Sequence, residues 1–240
     1  MNPLRVTARL ATGVAHTYPW SISLDGLLAS QLWAQVKPVA GPPALDADYP
    51  PDLDLPLARC ALPIDPTAWH WAATCGYPDP IPDRPDIHAW IGTLDHRAAE
   101  QLTGWLPKVI STRQGRYRLH RMPLPVTLCK TITFTAVGNP DAIADLLDGV
   151  DAIGKKRAHG EGQVLEWTIT EADDLDEFTA GHLTPAGALG RPCPPECLTV
   201  RPDVHHGGVG LVGIRPPSMH HSRRHTALLP APLHGKALQR

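Results

Sequence analysis

Four consecutive segments decide the fold: Lys130-Thr131-Ile132-Thr133-Phe134-Thr135-Ala136-Val137, then Asn139-Pro140-Asp141, then Gly154-Lys155-Lys156-Arg157-Ala158-His159-Gly160-Glu161-Gly162, then Gln163 to Thr170. The first is β-branched and alternating, the pattern of a strand with one buried face. Asn139 can cap a helix and Pro140 suits its first position, where the missing N–H costs nothing. Ile143, Leu146, Leu147 and Val150 then form an apolar stripe, with Gly149 near the exit. The order is strand, helix, glycine-rich basic loop, strand.

The N-terminus repeats the theme. Leu4, Val6, Ala8 and Leu10 alternate with Arg5, Thr7 and Arg9, again with a period of two. After a turn at Gly13, Trp20, Ile22 and Leu24 share one side, Asp25 is placed to cap a helix, and Leu24, Leu28, Leu32 and Val36 recur every fourth residue until Pro38 stops the run. Two β-α-β units in series give an α+β expectation: a ferredoxin-like sandwich with helices on one face of an antiparallel sheet and the other face bare. Between the units lie many prolines, so residues 38–112 read as an irregular insertion, with a short helix over Thr93–Gly104. Trp69, Trp71 and Trp90 mark that insertion as folded, and core packing is the preferred role for them. The expected organisation is one domain over 1–240, with its core at 1–37 and 113–170. An irregular, proline-rich region at 171–240 carries one strand over Val209–Arg215.

At 240 residues the chain can bury a core without staples, and 42% apolar against 19% charged residues excludes a charge-driven disordered protein. A net charge of −2 gives no global polyanion signature, but the charges are segregated. Ala40–Glu100 holds ten carboxylates against Arg59, Arg84 and Arg97. Arg113, Arg116, Arg118, Arg121 and Lys130 follow without an acid among them, and after Asp203 the charges are all basic. An odd count of five cysteines and an N-terminus without an apolar signal segment point to a cytoplasmic protein, and no apolar run is long enough for a membrane.

Three motif matches lose on context. Gly149 to Lys156 spells a phosphate-binding loop but ends in Lys156 instead of Ser or Thr, and a helix precedes it where a strand should. Gly208-Val-Gly210-Leu-Val-Gly213 spells a dinucleotide fingerprint, yet Pro216 and Pro217 forbid the helix it needs. Cys193 and Cys197 with His205 and His206 offer four zinc ligands at an unusual spacing, with Cys60 and Cys75 remote, so free thiols are preferred and no metal or cofactor is expected. The remaining histidines read as solvated surface groups.

The richest chemistry is in the glycine loop. Gly154, Gly160 and Gly162 let a backbone approach a polyanion and turn N–H groups outward, while Lys155, Lys156 and Arg157, with His159 beside them, meet phosphates. A solvated connection with incidental charge explains the same composition. Arg113, Arg116, Arg118 and Arg121 on a second hairpin favour the binding reading, because two basic segments of one sheet protein can form a groove. Tyr18 and Trp20 could stack on bases, although core packing is the commoner role.

Leu4–Leu10, Tyr18-Pro19-Trp20 leading into Leu24-Asp25-Gly26-Leu27-Leu28-Ala29, the Gly154-Lys155-Lys156-Arg157 loop closing with Gly160-x-Gly162, and Arg215-Pro216-Pro217 together resemble the small RAMP subunit of type IV CRISPR effector complexes. The resemblance spans nearly the whole chain and departs after Pro217, where Ser218-Met219 stands in place of an aromatic pair. It implies an RRM-like core with an inserted subdomain and a non-catalytic role in which the subunit holds the crRNA 5′ handle. It also implies partnership with larger RAMP backbone subunits, whose filament it would cap as a single copy, and with a large subunit. The alternative is a metal-independent endoribonuclease processing CRISPR repeat RNA, with His159 or His120 as base and Lys155 or Lys156 stabilising the phosphorane. The acidic insertion is expected to face a protein partner or solvent rather than the guide.

Overall fold

The computed structural model describes residues 1–18, 20–40, 51–62, 64–92, 100–101, 104, 111, 113–114 and 118–233. Its organising element is β1 (Asn2–Leu10), whose Leu4, Val6 and Ala8 are fully buried, as the alternation required. β1 pairs antiparallel on one side with β8 (Thr131–Gly138), from Asn2 opposite Gly138 to Arg9 opposite Thr131, and on the other with β9 (Val164–Glu171). A short edge strand, β5 (Tyr77–Asp79), pairs antiparallel with β8, so the four-stranded sheet runs β5-β8-β1-β9. The fold class is α+β with antiparallel sheets.

Two helices pack together, and their apolar stripes join the main core: α1 (Leu24–Ala40) and α2 (Pro140–Leu147). The core between them and the sheet gathers Leu24, Leu28, Phe134, Ile143, Leu147 and Ile153, all at or near zero exposure. Each contributes about 1.5–3 kcal/mol by leaving water. Asn139 caps α2 through its side-chain oxygen and the Ala142 N–H, as read from the sequence. α1 departs from expectation at both ends. Ser23 caps it, accepting from the Gly26 N–H, and Asp25 lies one residue inside, buried. The helix also runs through Pro38 to Ala40; so close to the end, the proline costs only the one hydrogen bond that its missing N–H would have donated to the carbonyl four residues back.

The stretch expected as an insertion contributes to the core. Leu55, Leu57, Trp71 and Ala73 pack in the main cluster and β5 extends the main sheet. The same stretch supplies the two-residue hairpin of β3 (Arg59–Cys60) and β4 (His70–Trp71). β6 (Asp86–Gly92) joins β7 (His120–Thr127) and β2 (Val14–Ala15) in a second sheet, ordered β2-β7-β6. The helix expected over 93–104 falls almost entirely outside the described residues.

The second face of the main sheet is not bare. α3 (Glu177–His182), capped by Asp176, packs Ala180 against Ala72 and Val137, and the Thr135 hydroxyl donates to the Leu183 carbonyl. Beyond it, a second core of Leu183, Leu189, Cys193, Cys197, Leu198, Val204 and Leu228 orders much of the region read as irregular. The expected strand is β10 (Val209–Gly213), and it pairs with β11 (Arg224–Leu228), which the sequence did not announce. Three arginines of this region turn inward. Arg191, Arg215 and Arg223 are buried; Arg215 and Arg223 reach Asp52, and Arg191 reaches Asp25. Among the described residues no helix is long and apolar enough to cross a membrane.

Candidate nucleic-acid interface

The Gly154–Gly162 loop leaves α2 and returns to β9 beside the turn that links β1 to β2, and it is fastened there at several points. The Lys155 N–H donates to Ala15, the Gly162 N–H to Gly13, and the Thr12 hydroxyl to the Gly160 carbonyl. Gly154 and Gly162 are explained by this packing. Gly162 has a φ of 68°, and a Cβ there would lie 1.9 Å from the Ile153 carbonyl oxygen; at Gly154, φ 85°, it would lie 2.5 Å from that of Ala15. Several of the N–H groups expected to face a polyanion are instead engaged within the protein: besides those of Lys155 and Gly162, the N–H groups of His159 and Gly160 donate to Lys156 and Arg157. What the loop offers outward is side chains. Lys155, Arg157 and His159 are exposed, the last two on a short 3-10 turn that is preceded by Lys156 in the left-handed region at φ 59°.

Lys156 has a partner that nothing in its sequence neighbourhood foretells. Its Nζ sits 3.1 Å from the ring centroid of Trp90 on β6, a cation–π contact that holds the ammonium against the second sheet. Next to it, His88 Nδ1 lies 2.8 Å from Glu161 Oε1, and this hydrogen bond, with Asp86 nearby, raises the His88 pKa. His88, Trp90, Leu124, Lys156, His159 and Glu161 line an open groove of about 370 Å³. Part of the acidic stretch, Asp86–Gly92, thus lies directly against the basic loop.

The second basic segment does not join this groove as a unit. Trp90 stands opposite Met122 and Ile91 opposite Arg121 in the β6–β7 ladder, so by the period of two Arg121 projects from the face opposite Trp90 and Lys156. His120, paired with Gly92, is on the Trp90 face. Arg113 and Arg118 are exposed, and Arg116 lies outside the described residues. Tyr18 and Trp20 stack on each other, 5.5 Å apart, with Tyr18 more than half exposed. Trp69 and Trp71 meet edge to face, with the Arg59 and Arg215 guanidinium groups over Trp69.

The other concentration of reactive side chains is buried. Cys60, His70, His182 and Cys197 bring one sulfur or nitrogen atom each to within 4.8 Å of all the others. Burial pushes the His70 pKa well down, while the hydrogen bond that the Cys60 thiol donates to Cys197, with burial, pushes that thiol up to about 12. Of the four ligands considered from the sequence, only Cys197 belongs to this group; Cys193 sits buried beside it, and His205 is exposed. Cys60, His70 and His182 give no sequence signal of their own, because they come from elements far apart in the chain. Compared with known proteins, the chain matches no family model and no curated protein.

Proposed function

We propose that the chain is a non-catalytic RNA-binding subunit of a type IV CRISPR ribonucleoprotein, holding the 5′ end of a guide RNA and capping the filament of larger RAMP subunits. The observation that carries this reading is the glycine loop: exposed Lys155, Arg157 and His159 on a turn whose backbone is tied to the β1–β2 turn, so cationic groups meet phosphates without ordering a flexible segment. The sheet order β5-β8-β1-β9, with α1 following β1 and α2 following β8, supports the ferredoxin-like, RRM-like core that the reading requires. The Trp90 groove beside the loop adds an aromatic surface of the kind on which unpaired bases stack.

The test is salt-dependent binding of single-stranded guide RNA by the wild type and a Lys155→Ala, Lys156→Ala, Arg157→Ala triple variant. Affinity falls for all sequences in the variant, and the slope of log K against log salt flattens by about 0.7 for each phosphate that the variant no longer neutralises. An unchanged slope refutes the assignment. Native mass spectrometry of the complex should give one copy per RNA; a copy number that grows with RNA length overturns the capping role. Cleavage of repeat RNA in EDTA that disappears in His159→Ala or His120→Ala would replace the non-catalytic reading by a nuclease.

A further inference from the structure

The buried quartet has the composition and geometry of a metal centre. Cys60 and His70 are directly paired across the β3–β4 ladder and so share a face. His182 is the last residue of α3, and Cys197 lies in the 3-10 turn of Pro195–Leu198. All four side chains are buried, His70 and Cys197 completely. His70 Nε2 is 3.3 Å from Cys197 Sγ, Cys60 Sγ is 3.5 Å from His182 Nε2, and the two sulfurs are 3.9 Å apart. A tetrahedral zinc ion, with sulfur at about 2.3 Å and nitrogen at about 2.0–2.1 Å, sets ligand spacings of about 3.3–3.8 Å. The quartet is nearly closed around such an ion already.

The imidazoles are oriented for the task. His70 Nδ1 is 2.9 Å from the Trp71 carbonyl oxygen, and His182 Nδ1 is 3.0 Å from that of Phe178. A carbonyl only accepts, so each Nδ1 carries the proton and each Nε2 directs a lone pair into the cluster. That arrangement of ring and backbone carbonyl is the one that fixes metal-bound histidines. Charge agrees as well: two thiolates and two neutral imidazoles around a divalent ion give zero net charge, which suits a fully buried position.

We propose that Cys60, His70, His182 and Cys197 bind one structural zinc ion. Two sulfurs and two nitrogens in a tetrahedron favour zinc among the divalent metals, and four protein ligands leave no open position for substrate. On binding, the two thiols release their protons and coordinate as thiolates. The ion would join the β3–β4 hairpin, only two residues per strand and marginal by itself, to the α3 region and the second core. The protein would therefore be held together across residues 60 to 197 by coordination as well as by packing.

Metal analysis of the chain, purified without a histidine tag, tests this directly. About one zinc per chain is expected, lost in Cys60→Ser and in Cys197→Ser and retained in Cys129→Ser and in a His205→Ala, His206→Ala double variant. Because the ligand variants can fail to fold, the wild type is also stripped with chelator and reconstituted with cobalt(II) alone. Tetrahedral ligand-field bands in the visible and a thiolate charge-transfer band in the near ultraviolet support the site. A wild type that purifies without zinc, zinc retained by either cysteine variant, or a cobalt spectrum lacking the thiolate band overturns it.

Discussion

Arg191 is the cation with the most to lose by truncation. It is 2% exposed, and its guanidinium donates to the carbonyl oxygens of Trp71, Ala73 and Ile214, the last two at 2.6 Å, while facing the buried Asp25 carboxylate at 3.5 Å. It thereby joins the start of α1, the strand leading to β5 and the end of β10. Arg191→Met keeps most of the volume and removes every donor. Breaking a buried pair from one side costs about 3–5 kcal/mol, because the remaining carboxylate has neither water nor a counter-charge. For a chain of this size each kcal/mol lowers Tm by about 2–4 °C, so the expected fall is about 6–20 °C. Urea and thermal unfolding, followed by circular dichroism, measure it. Adding Asp25→Asn removes the stranded charge, so the double variant should recover part of the loss. A single variant destabilised by less than about 1 kcal/mol, or a double variant with no recovery, would show that the guanidinium is not the link described.

His88 should titrate above the ordinary histidine value and return towards it in Glu161→Gln, as read by NMR of the ring protons. Since its folded pKa is raised, its contribution to stability is complete below the unfolded value, about 6.5, and is lost as pH rises through the folded one. Gly162→Ala should destabilise by more than Gly160→Ala in urea titrations: both positions have positive φ, which costs about 1–2 kcal/mol with a Cβ, but only Gly162 meets a carbonyl. Equal losses would remove the packing argument for that glycine. Burial pushes the Cys75 thiol up to about 12, so in the native protein it should react with an alkylating agent at pH 8 far more slowly than after unfolding.

Local pattern carried the parts of this fold that local physics governs. The alternation in residues 4–10 and 131–137 became β1 and β8, and Asn139-Pro140 opened α2 because both cap geometry and the fixed proline φ act within one turn. β5 was illegible: three residues, Tyr-Pro-Asp, have no periodicity, and only the exposed edge of β8 makes them a strand. β11 was hidden likewise, since Arg-His-Thr-Ala-Leu pairs by virtue of β10 rather than of its own composition. At the site, the charge of the glycine loop was readable but its contacts were not. Nothing near Lys156 in sequence points to Trp90, and nothing near Cys197 points to Cys60 or His70. The inward turn of Arg215 and Arg223 towards Asp52 was equally out of reach, because a charge count does not say which cations meet water.

The central place of β1 bears on how the chain reaches this structure. Its ladder partners are β8 and β9, so its pairing is long delayed: residues 2–10 wait for residues 131–138 on one side and 164–171 on the other. At translation speeds of about 5–20 residues per second, that interval is about 6–25 s for the nearer partner alone. Throughout it, Leu4, Val6, Ala8 and Leu10 lie on a strand with two open edges, the geometry most prone to pairing with the wrong chain. A fold of such long sequence separations closes slowly even when synthesis is complete. The N-terminal strand is thus where a nascent-chain chaperone would have most to shield, and the arginines at positions 5 and 9, set between its apolar residues, supply the charge that discourages edge-to-edge association in the meantime.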